Sequence, residues 1–283
     1  MHKNLHKYFP IFVLPTLIAF SIAFLVPFLM GLALSFCDFT IVSDATFVGF
    51  NNYVRAFTDP SSNFLYSLGF TACFTMISII TINVIAFSLA LLLTKGLKGT
   101  NVFRSIFFTP NLIGGIVLGY VWQTIIDAVL SHYEVTLLFN PKFGFWGLVL
   151  VMNWQLIGYM MIIYIAGIQN IPGDIREAAA IDGANGFQTL FRITIPMIMS
   201  SITICVFLTL TNSFKLFDLN LALTGGGPAN KTEMLALNIY RTFYNRNGWS
   251  GAGQAKAVVF FLLVGVIALA QLKITRSREV ENQ

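Results

Sequence analysis

A polar segment at residues 177–196, EAAAIDGANGFQTLFRITIP, contains the residue types best suited to a chemical role in this chain. Glu177 supplies a carboxylate, and the three alanines after it favour helix and leave a slim surface. Gly183 then allows a bend, and Phe187 adds an apolar face beyond it. A slim helix with one carboxylate suits a groove in another protein, so the segment is predicted to dock a soluble partner.

The same residues predict how this segment begins and ends. Asp174 is a suitable N-cap, and Glu177, three residues later, has the spacing of a capping box. Gly183 and Gly186 are expected to bend or end the helix, and Pro196 suits the first turn of the next one. The alternative is that Glu177 only caps its own helix and that the alanines only pack.

A second set of candidates consists of polar and aromatic side chains in or next to uncharged, apolar stretches. They are Gln123, Asn153, Trp154, Gln155, Tyr159, Asn212, Ser213, Lys215 and Asp218. Polar groups are costly inside a membrane, so each is a functional candidate. Aromatic faces can bind the C–H surface of a polar solute, and amides or charges can bind its hydroxyls. For Lys215 and Asp218, three residues apart, the alternative is that they pair with each other.

Six uncharged stretches position these residues and indicate a membrane protein. Apolar residues make up 56% of the 283 residues and charged residues only 10%, too few to keep the surface of a soluble fold wet. Helices are predicted at about residues 9–36, 64–94, 103–127, 145–169, 196–217 and 252–273. The predicted fold class is an all-α polytopic membrane protein with six transmembrane helices in one domain, residues 1–283. The last stretch is shorter, and it can span if residues 251–255 extend it and Lys256 snorkels or faces a wet cavity.

Basic residues predict the orientation of these helices. Ten of the 17 Lys and Arg residues lie in segments that are inside when both termini are cytoplasmic: Lys3, Lys7, Lys95, Lys98, Arg104, Arg176, Arg192, Lys273, Arg276 and Arg278. This bias predicts cytoplasmic termini and places residues 177–196 on the cytoplasmic side. It also accounts for the net charge of +5 without a nucleic-acid partner.

Other chemistries find little support in the spacing of reactive residues. The cysteines have no paired spacing and the histidines lie outside the apolar stretches: Cys37, Cys73, Cys205, His2, His6 and His132. Neither a disulfide framework, a metal site nor an intramembrane enzyme is therefore predicted. The run GGGPANKT at 225–232 differs from a phosphate-binding loop because Asn230 replaces the second glycine, and it is predicted to be a turn.

The spacing in the polar segment resembles a family signature. Glu-Ala-Ala at 177–179, Gly183 and Ile193-x-Ile195-Pro196 resemble the EAA motif of ATP-binding-cassette importer permeases, with isoleucine in place of the usual leucine before the proline. Residues 48–53 (VGFNNY), 214–218 (FKLFD) and 224–228 (TGGGP) are similar to the carbohydrate-uptake branch, the relatives of the maltose and glycerol-phosphate permeases. The resemblance extends over nearly the whole chain.

This resemblance implies a role for each set of candidates. A coupling helix at about residues 174–191 would insert into a cleft of a cytosolic ATPase through Glu177, Ala178, Ala179, Asp182, Gly183, Gly186 and Phe187. The substrate would lie at mid-membrane between helices that include the fourth and fifth, which makes Tyr159 and Asn212 the leading contacts. The other pathway candidates are Trp154, Gln155, Lys215, Asp218 and Gln123.

The predicted function is the permease subunit of an ATP-driven, binding-protein-dependent sugar importer that works by alternating access in a bacterial or archaeal plasma membrane. The implied partners are a second homologous permease, two ABC ATPase subunits, an extracytoplasmic solute-binding protein, the sugar and membrane lipid. The chain itself is expected to be no enzyme and to hold no cofactor, because ATP and Mg²⁺ bind the ATPases. The alternative is an ion-coupled secondary transporter of a small polar solute, which predicts carboxylates inside the spans. The uncharged stretches contain none.

Overall fold

The computed structural model describes residues 13–96 and 98–280, without the side chains of Arg176 and residues 274–280. Its helices are α1 (Val13–Leu34), α2 (Asn51–Thr58), α3 (Phe64–Leu93), α4 (Thr100–Phe108), α5 (Gly115–Leu130), α6 (Pro141–Gln169), α7 (Gly173–Ile181), α8 (Gly186–Met197), α9 (Met199–Phe214), α10 (Asp218–Leu223), α11 (Leu235–Tyr244) and α12 (Ser250–Val280). Two short strands, β1 (Cys37–Asp38) and β2 (Thr46–Phe47), pair antiparallel. The predicted all-α class is confirmed. Residues 9–12 of the predicted first helix lie outside the described residues.

Residues 13–96 and 98–280 contain six candidate spans when each bent helix pair is counted as a single span. Helices α1, α3, α6 and α12 each have an unbroken apolar stretch long enough to cross a membrane. The 30 residues of α3 extend about 45 Å at the α-helical rise, beyond the thickness of a bilayer core. The other two spans are α4 with α5 and α8 with α9, bent by 101° and 72°. The predicted count of six is confirmed, but two spans are broken.

The third span is not the continuous helix predicted at 103–127. A 3₁₀ segment at Thr109–Leu112 contains Pro110, and Gly114 is extended, so α4 and α5 separate there. Proline removes a backbone donor, and in a membrane the carbonyl groups freed at such a break need another partner. Gln155 supplies one, because its Nε2 donates to the carbonyl oxygen of Ile113 at 3.2 Å.

The fifth span also begins differently from its prediction. Pro196 was expected in the first turn, but the helix starts at Gly186 and Pro196 lies near the end of α8. A π-helical stretch at Leu190–Thr194 precedes the proline, and the bend falls at Ile198. The wider π turn leaves room for a residue that lacks an N–H, which explains why α8 continues up to the proline.

The helices pack into two compact units. The first contains residues 13–64 and 239–262, and the second contains residues 65–238 and 263–280. In the second unit the core is centred on α6, where 61% of the most apolar window is buried, against 28% for α3. Close helix crossings support this packing, since a Cβ atom on Gly158 would run into the Phe107 carbonyl group. The prediction of a single domain over residues 1–283 stays a prediction.

Lys256, in the first unit, lies in the last span without reaching water. Its side chain is 0% exposed. The Nζ donates to the carbonyl oxygen of Ser62 at 3.0 Å and to Thr242 Oγ1 at 2.8 Å, and it lies 5.6 Å from the ring centroid of Phe64. The prediction that Lys256 snorkels or faces a wet cavity is wrong, because protein groups replace water around its ammonium group.

Candidate functional site

A cavity of about 290 Å³ lies in the second unit and is the first candidate site. Its lining residues are Asn111, Gly115, Met152, Gln155, Leu156, Asn212, Lys215, Leu216, Phe217, Asp218 and Leu219. They come from the break between α4 and α5, from the middle of α6, from the end of α9 and from the start of α10. The cavity is therefore built at the break in the third span and at the end of the fifth span, and its volume is at the lower end of the size range of small-molecule sites.

Two glycines let α10 approach α5 closely enough to form one wall of this cavity. A Cβ atom on Gly115 would lie 3.0 Å from the Cβ of Asp218, and one on Gly119 would lie 2.5 Å from the Cβ of Ala222. Real Cβ atoms do not sit at the second of these distances, so a larger residue there would push the two helices apart. The wall depends on glycine at both positions.

Four of the seven residues predicted for the pathway line this cavity: Gln155, Asn212, Lys215 and Asp218. Asn212 donates through Nδ2 to the Leu208 carbonyl oxygen at 2.9 Å, and Gln155 donates to Ile113. Lys215 and Asp218 are both exposed, and within the described residues no ion pair joins them. Two amides, one cation and one anion thus lie around one space, a set able to bind hydroxyl groups.

The other three pathway candidates lie outside the cavity lining found in the described residues. Trp154 is 42% exposed and packs edge-on against Trp122, with 5.3 Å between ring centroids. Tyr159 is half-buried beside Phe108, with 6.4 Å between ring centroids. Gln123 is half-buried on α5. Their part in a pathway stays a prediction.

Sequence reasoning missed several lining residues, above all Asn111. The sequence did mark Asn111 as a candidate, because it is an amide next to Pro110 within an uncharged stretch. It was overlooked because the stretch was interpreted as continuous helix, in which Asn111 has no special place. Phe217 and Leu219 carried no signal, since apolar residues beside a membrane helix are ordinary.

The second candidate site is the alanine-rich segment, defined as residues 173–191. Helix α7 begins at Gly173 with Pro172 as its N-cap residue, and Asp174 lies within the first turn, so the capping box predicted between Asp174 and Glu177 is wrong. Pro172 has an extended backbone and no N–H group. It therefore marks the start of α7 without a side-chain cap. A capping box forms instead between Asn185 and Gln188, whose side chains and backbone N–H groups exchange two 2.9 Å hydrogen bonds.

The predicted break at Gly183 is confirmed. Its φ of +74° is in the left-handed region, which glycine reaches without strain. Two hydrogen bonds close the end of α7: Gly183 N to the Ala180 carbonyl oxygen at 3.2 Å and Ala184 N to that of Ala179 at 2.9 Å. This is the Schellman arrangement, and it ends α7 without covering its outer surface.

The surface of the alanine-rich segment is unusually apolar for an exposed turn. Ile181 is 86% exposed and Phe187 71% exposed, and the Phe187 ring packs at a tilt against Phe191, with 4.5 Å between ring centroids. Glu177 and Asp182 are exposed beside them, whereas Ala179 is 7% exposed and anchors α7. Exposed apolar groups of this size, rimmed by carboxylates, are typical of a surface that contacts another protein.

Neither metal chemistry nor a nucleotide site emerges from the part of the chain that the structure describes. It contains no group of three or more His, Cys, Asp or Glu side chains able to hold a metal ion. The run at 225–232 forms turns, as predicted, with a cis peptide bond between Gly227 and Pro228.

Comparison with known proteins identifies the family. The sequence profile described as "Binding-protein-dependent transport system inner membrane component" matches residues 83–278, which include both candidate sites. The chain belongs to this family. Its predicted identity as an importer permease is thereby confirmed, and the ion-coupled alternative is not favoured.

Relatives of the permease cover almost its whole length. The "Probable starch degradation products transport system permease protein AmyD" of Thermoanaerobacterium thermosulfurigenes is 43% identical over 96% of this chain and 94% of that protein. The "Multiple sugar-binding transport system permease protein MsmF" of Streptococcus mutans is 30% identical over 99% of both chains. The prediction of the carbohydrate-uptake branch agrees with these relatives.

Solved structures share the fold of the permease. A chain of a bacterial ABC transporter involved in the import of the acidic polysaccharide alginate has a TM-score of 0.83 at 21% identity, covering 97% of this chain and 98% of that one. A second structure of a bacterial alginate transporter, in complex with an alginate pentasaccharide-bound periplasmic protein, has a TM-score of 0.81 at 21% identity. At this identity the likeness establishes the fold of the permease.

Proposed function

We propose that the permease forms the translocation pathway of an ATP-driven importer for neutral sugars and that it works by alternating access. The cavity is the observation that carries this proposal. Its amides at Asn111, Gln155 and Asn212 suit hydroxyl groups, and the charges of Lys215 and Asp218 sum to zero. A pathway with no net charge favours a neutral sugar over an anionic one, in line with the starch-product relative.

The alanine-rich segment is the proposed contact with the ATPase. Six of its predicted coupling residues are exposed: Glu177, Ala178, Asp182, Gly183, Gly186 and Phe187. The seventh, Ala179, is buried and holds α7 in place. Phe187 with Ile181 would fill an apolar cleft, and Glu177 would pair with a basic group at its rim. Movement of the ATPases would then reach the spans through α8, which continues directly from this surface.

The complete importer would contain four kinds of subunit. The permease would pair with a second, homologous permease, bind two ABC ATPase subunits and receive the sugar from an extracytoplasmic binding protein. ATP and Mg²⁺ would bind the ATPases, and this chain would carry out no covalent chemistry. Its basic residues favour cytoplasmic termini in a bacterial or archaeal plasma membrane, with the alanine-rich segment on the same side.

The test replaces Glu177 and Gly183 together in the permease co-expressed with the other subunits from neighbouring genes. In Glu177→Gln with Gly183→Val, the pairing carboxylate is lost and a side chain is forced into a left-handed backbone. Uptake of radiolabelled maltotriose and the amount of co-purified ATPase should both fall below about one-tenth of wild type, a loss of about 1.4 kcal/mol or more in binding.

The matched control replaces the same residue types elsewhere. Glu134 is exposed, and Gly49 has a φ of +61° with no atom within 4 Å of the place that a Cβ atom would take. Glu134→Gln with Gly49→Val should keep both uptake and ATPase binding. Full retention of both in the Glu177 and Gly183 variant would sink the coupling role. Wild-type uptake that continues after ATP depletion and stops with an ionophore would reject the importer itself.

A further inference from the structure

A buried amide on α10, Asn220, bonds to residues on both sides of the glycine-rich run at 225–232. The Asn220 side chain is 0% exposed. Its Nδ2 donates to Thr224 Oγ1 at 3.0 Å and to the carbonyl oxygen of Thr232 at 2.8 Å, while its Oδ1 accepts from Met234 N at 3.0 Å. One side chain thus joins α10 to the beginning and the end of the loop that follows it.

These three hydrogen bonds use both amide donors and the amide oxygen of Asn220. A buried amide satisfied in this way favours a single arrangement, because any shift leaves polar groups without partners in an apolar interior. The loop is organised to match. Gly226 N donates to Thr224 Oγ1 at 3.3 Å, and Thr232 Oγ1 donates to the Gly227 carbonyl oxygen at 2.6 Å.

The loop is also fixed against α6 through the same two threonines. A Cβ atom on Gly144 would lie 2.8 Å from Thr232 Cγ2 and 3.4 Å from Thr224 Cγ2. Thr232 is 0% exposed and Thr224 is 3% exposed, so neither can move without disturbing the core. The partners of Asn220 are therefore rigidly held, and α10 is held with them.

The other face of α10 forms the cavity wall. Asp218 and Leu219 line the cavity, and Gly115 and Gly119 of α5 receive this helix at close range. Helix α10 has only six residues, too short to be stable without outside contacts. Its position is set by α5 on one side and by the amide of Asn220 on the other.

We propose that Asn220 is a positioning residue of the transport pathway, which locks α10 to the glycine-rich loop so that Asp218 and Leu219 keep their places in the cavity wall. The inference rests on the proposed function only in taking the cavity as the sugar pathway. It also assigns a role to the glycine-rich run, because Thr232 at its end supplies one of the two acceptors of the Asn220 amide and Thr224, just before it, supplies the other.

The first test measures how often α10 leaves the wall. Leu219 and Leu156 both line the cavity, at 1% and 7% exposure, and each is replaced singly by cysteine. Cys37→Ser and Cys73→Ala remove the other accessible thiols, and the buried Cys205 is kept. The rate of N-ethylmaleimide labelling in membrane vesicles then reports opening of α10 at Leu219→Cys and opening of α6 at Leu156→Cys.

Asn220→Ala should raise the labelling rate at position 219 about tenfold, the effect expected from losing the hydrogen bonds of one buried amide. The rate at position 156 should change less than about twofold. Thr224→Val, which removes one acceptor of the amide, gives a milder variant with a predicted rise of about threefold at position 219 alone. Unchanged labelling at position 219 in Thr224→Val, or an equal rise at both positions, would overturn the proposal.

The second test separates a positioning role from a loss of folded protein. Asn220→Ala should lower the maximal uptake rate of maltotriose per folded permease about tenfold, while the half-saturating concentration, which the binding protein sets, stays within about twofold. An unchanged maximal rate per folded permease would contradict positioning. Failure of the wild-type importer to transport maltotriose would count against the proposed substrate, while the labelling test would still decide the role of Asn220.

Discussion

The cavity wall and the alanine-rich segment use glycine in opposite ways. In the wall, a Cβ atom on Gly119 would lie 2.5 Å from the Cβ of Ala222. In the alanine-rich segment, Cβ atoms on Gly173, Gly183 and Gly186 would meet nothing within 4 Å. Polar groups follow the same division, with Asn220 fully paired inside the chain and Glu177 exposed. The glycines of the wall admit close contacts within this chain, whereas those of the segment leave open the surface that we propose for the ATPase.

Glycine-to-alanine substitutions at matched positions give the largest expected effect. Gly119→Ala should lower the free energy of unfolding by about 2 kcal/mol, because α10 and α5 must separate to admit the methyl group. Gly186→Ala, in the first turn of α8, should leave stability unchanged or raise it by about 0.5 kcal/mol. Thermal unfolding of the purified permease in detergent measures both. Equal destabilisation by the two substitutions would remove the contrast between the regions.

Charge removal in the cavity should have a smaller effect, on transport rather than on stability. Lys215→Ala and Asp218→Ala should each lower the maximal uptake rate of maltotriose about tenfold, since each removes a charged partner for sugar hydroxyls in the pathway. Thermal stability should stay near wild type because both side chains are exposed. Lys142→Ala, an exposed lysine at the start of α6, is the control and should leave uptake unchanged. An unaltered maximal uptake rate in both cavity variants would exclude the two residues from the pathway.

The spans could be predicted from the sequence, but their interruptions could not. Long uncharged stretches require helices in a bilayer, and α3 and α6 fall close to the predicted bounds. Pro110 gave no reliable warning of the break between α4 and α5, because proline is tolerated in membrane helices when a neighbour satisfies the freed carbonyl. Gln155 is that neighbour, and its approach to Ile113 is a tertiary contact with no local signal.

The candidate residues show the same difference between features with a local sequence signal and features that depend on tertiary contacts. Gln155, Asn212, Lys215 and Asp218 were found because a polar group in an apolar stretch is costly wherever the helix packs. Asn220 was missed, because one amide in a loop-like segment is ordinary until its three partners are known. Lys256 was recognised as unusual, but its contact with water was predicted wrongly, because the protein atoms that replace water around it lie in distant parts of the sequence.

Photo-crosslinking from the alanine-rich segment is the most direct test that this surface receives the ATPase. Phe187 and Phe139 are 71% and 68% exposed, so benzoylphenylalanine fits at either position without disturbing the core. Irradiation of the assembled importer should join the ATPase to position 187 and leave position 139 without an ATPase product. Crosslinking to lipid alone from position 187, with an active importer, would contradict the account.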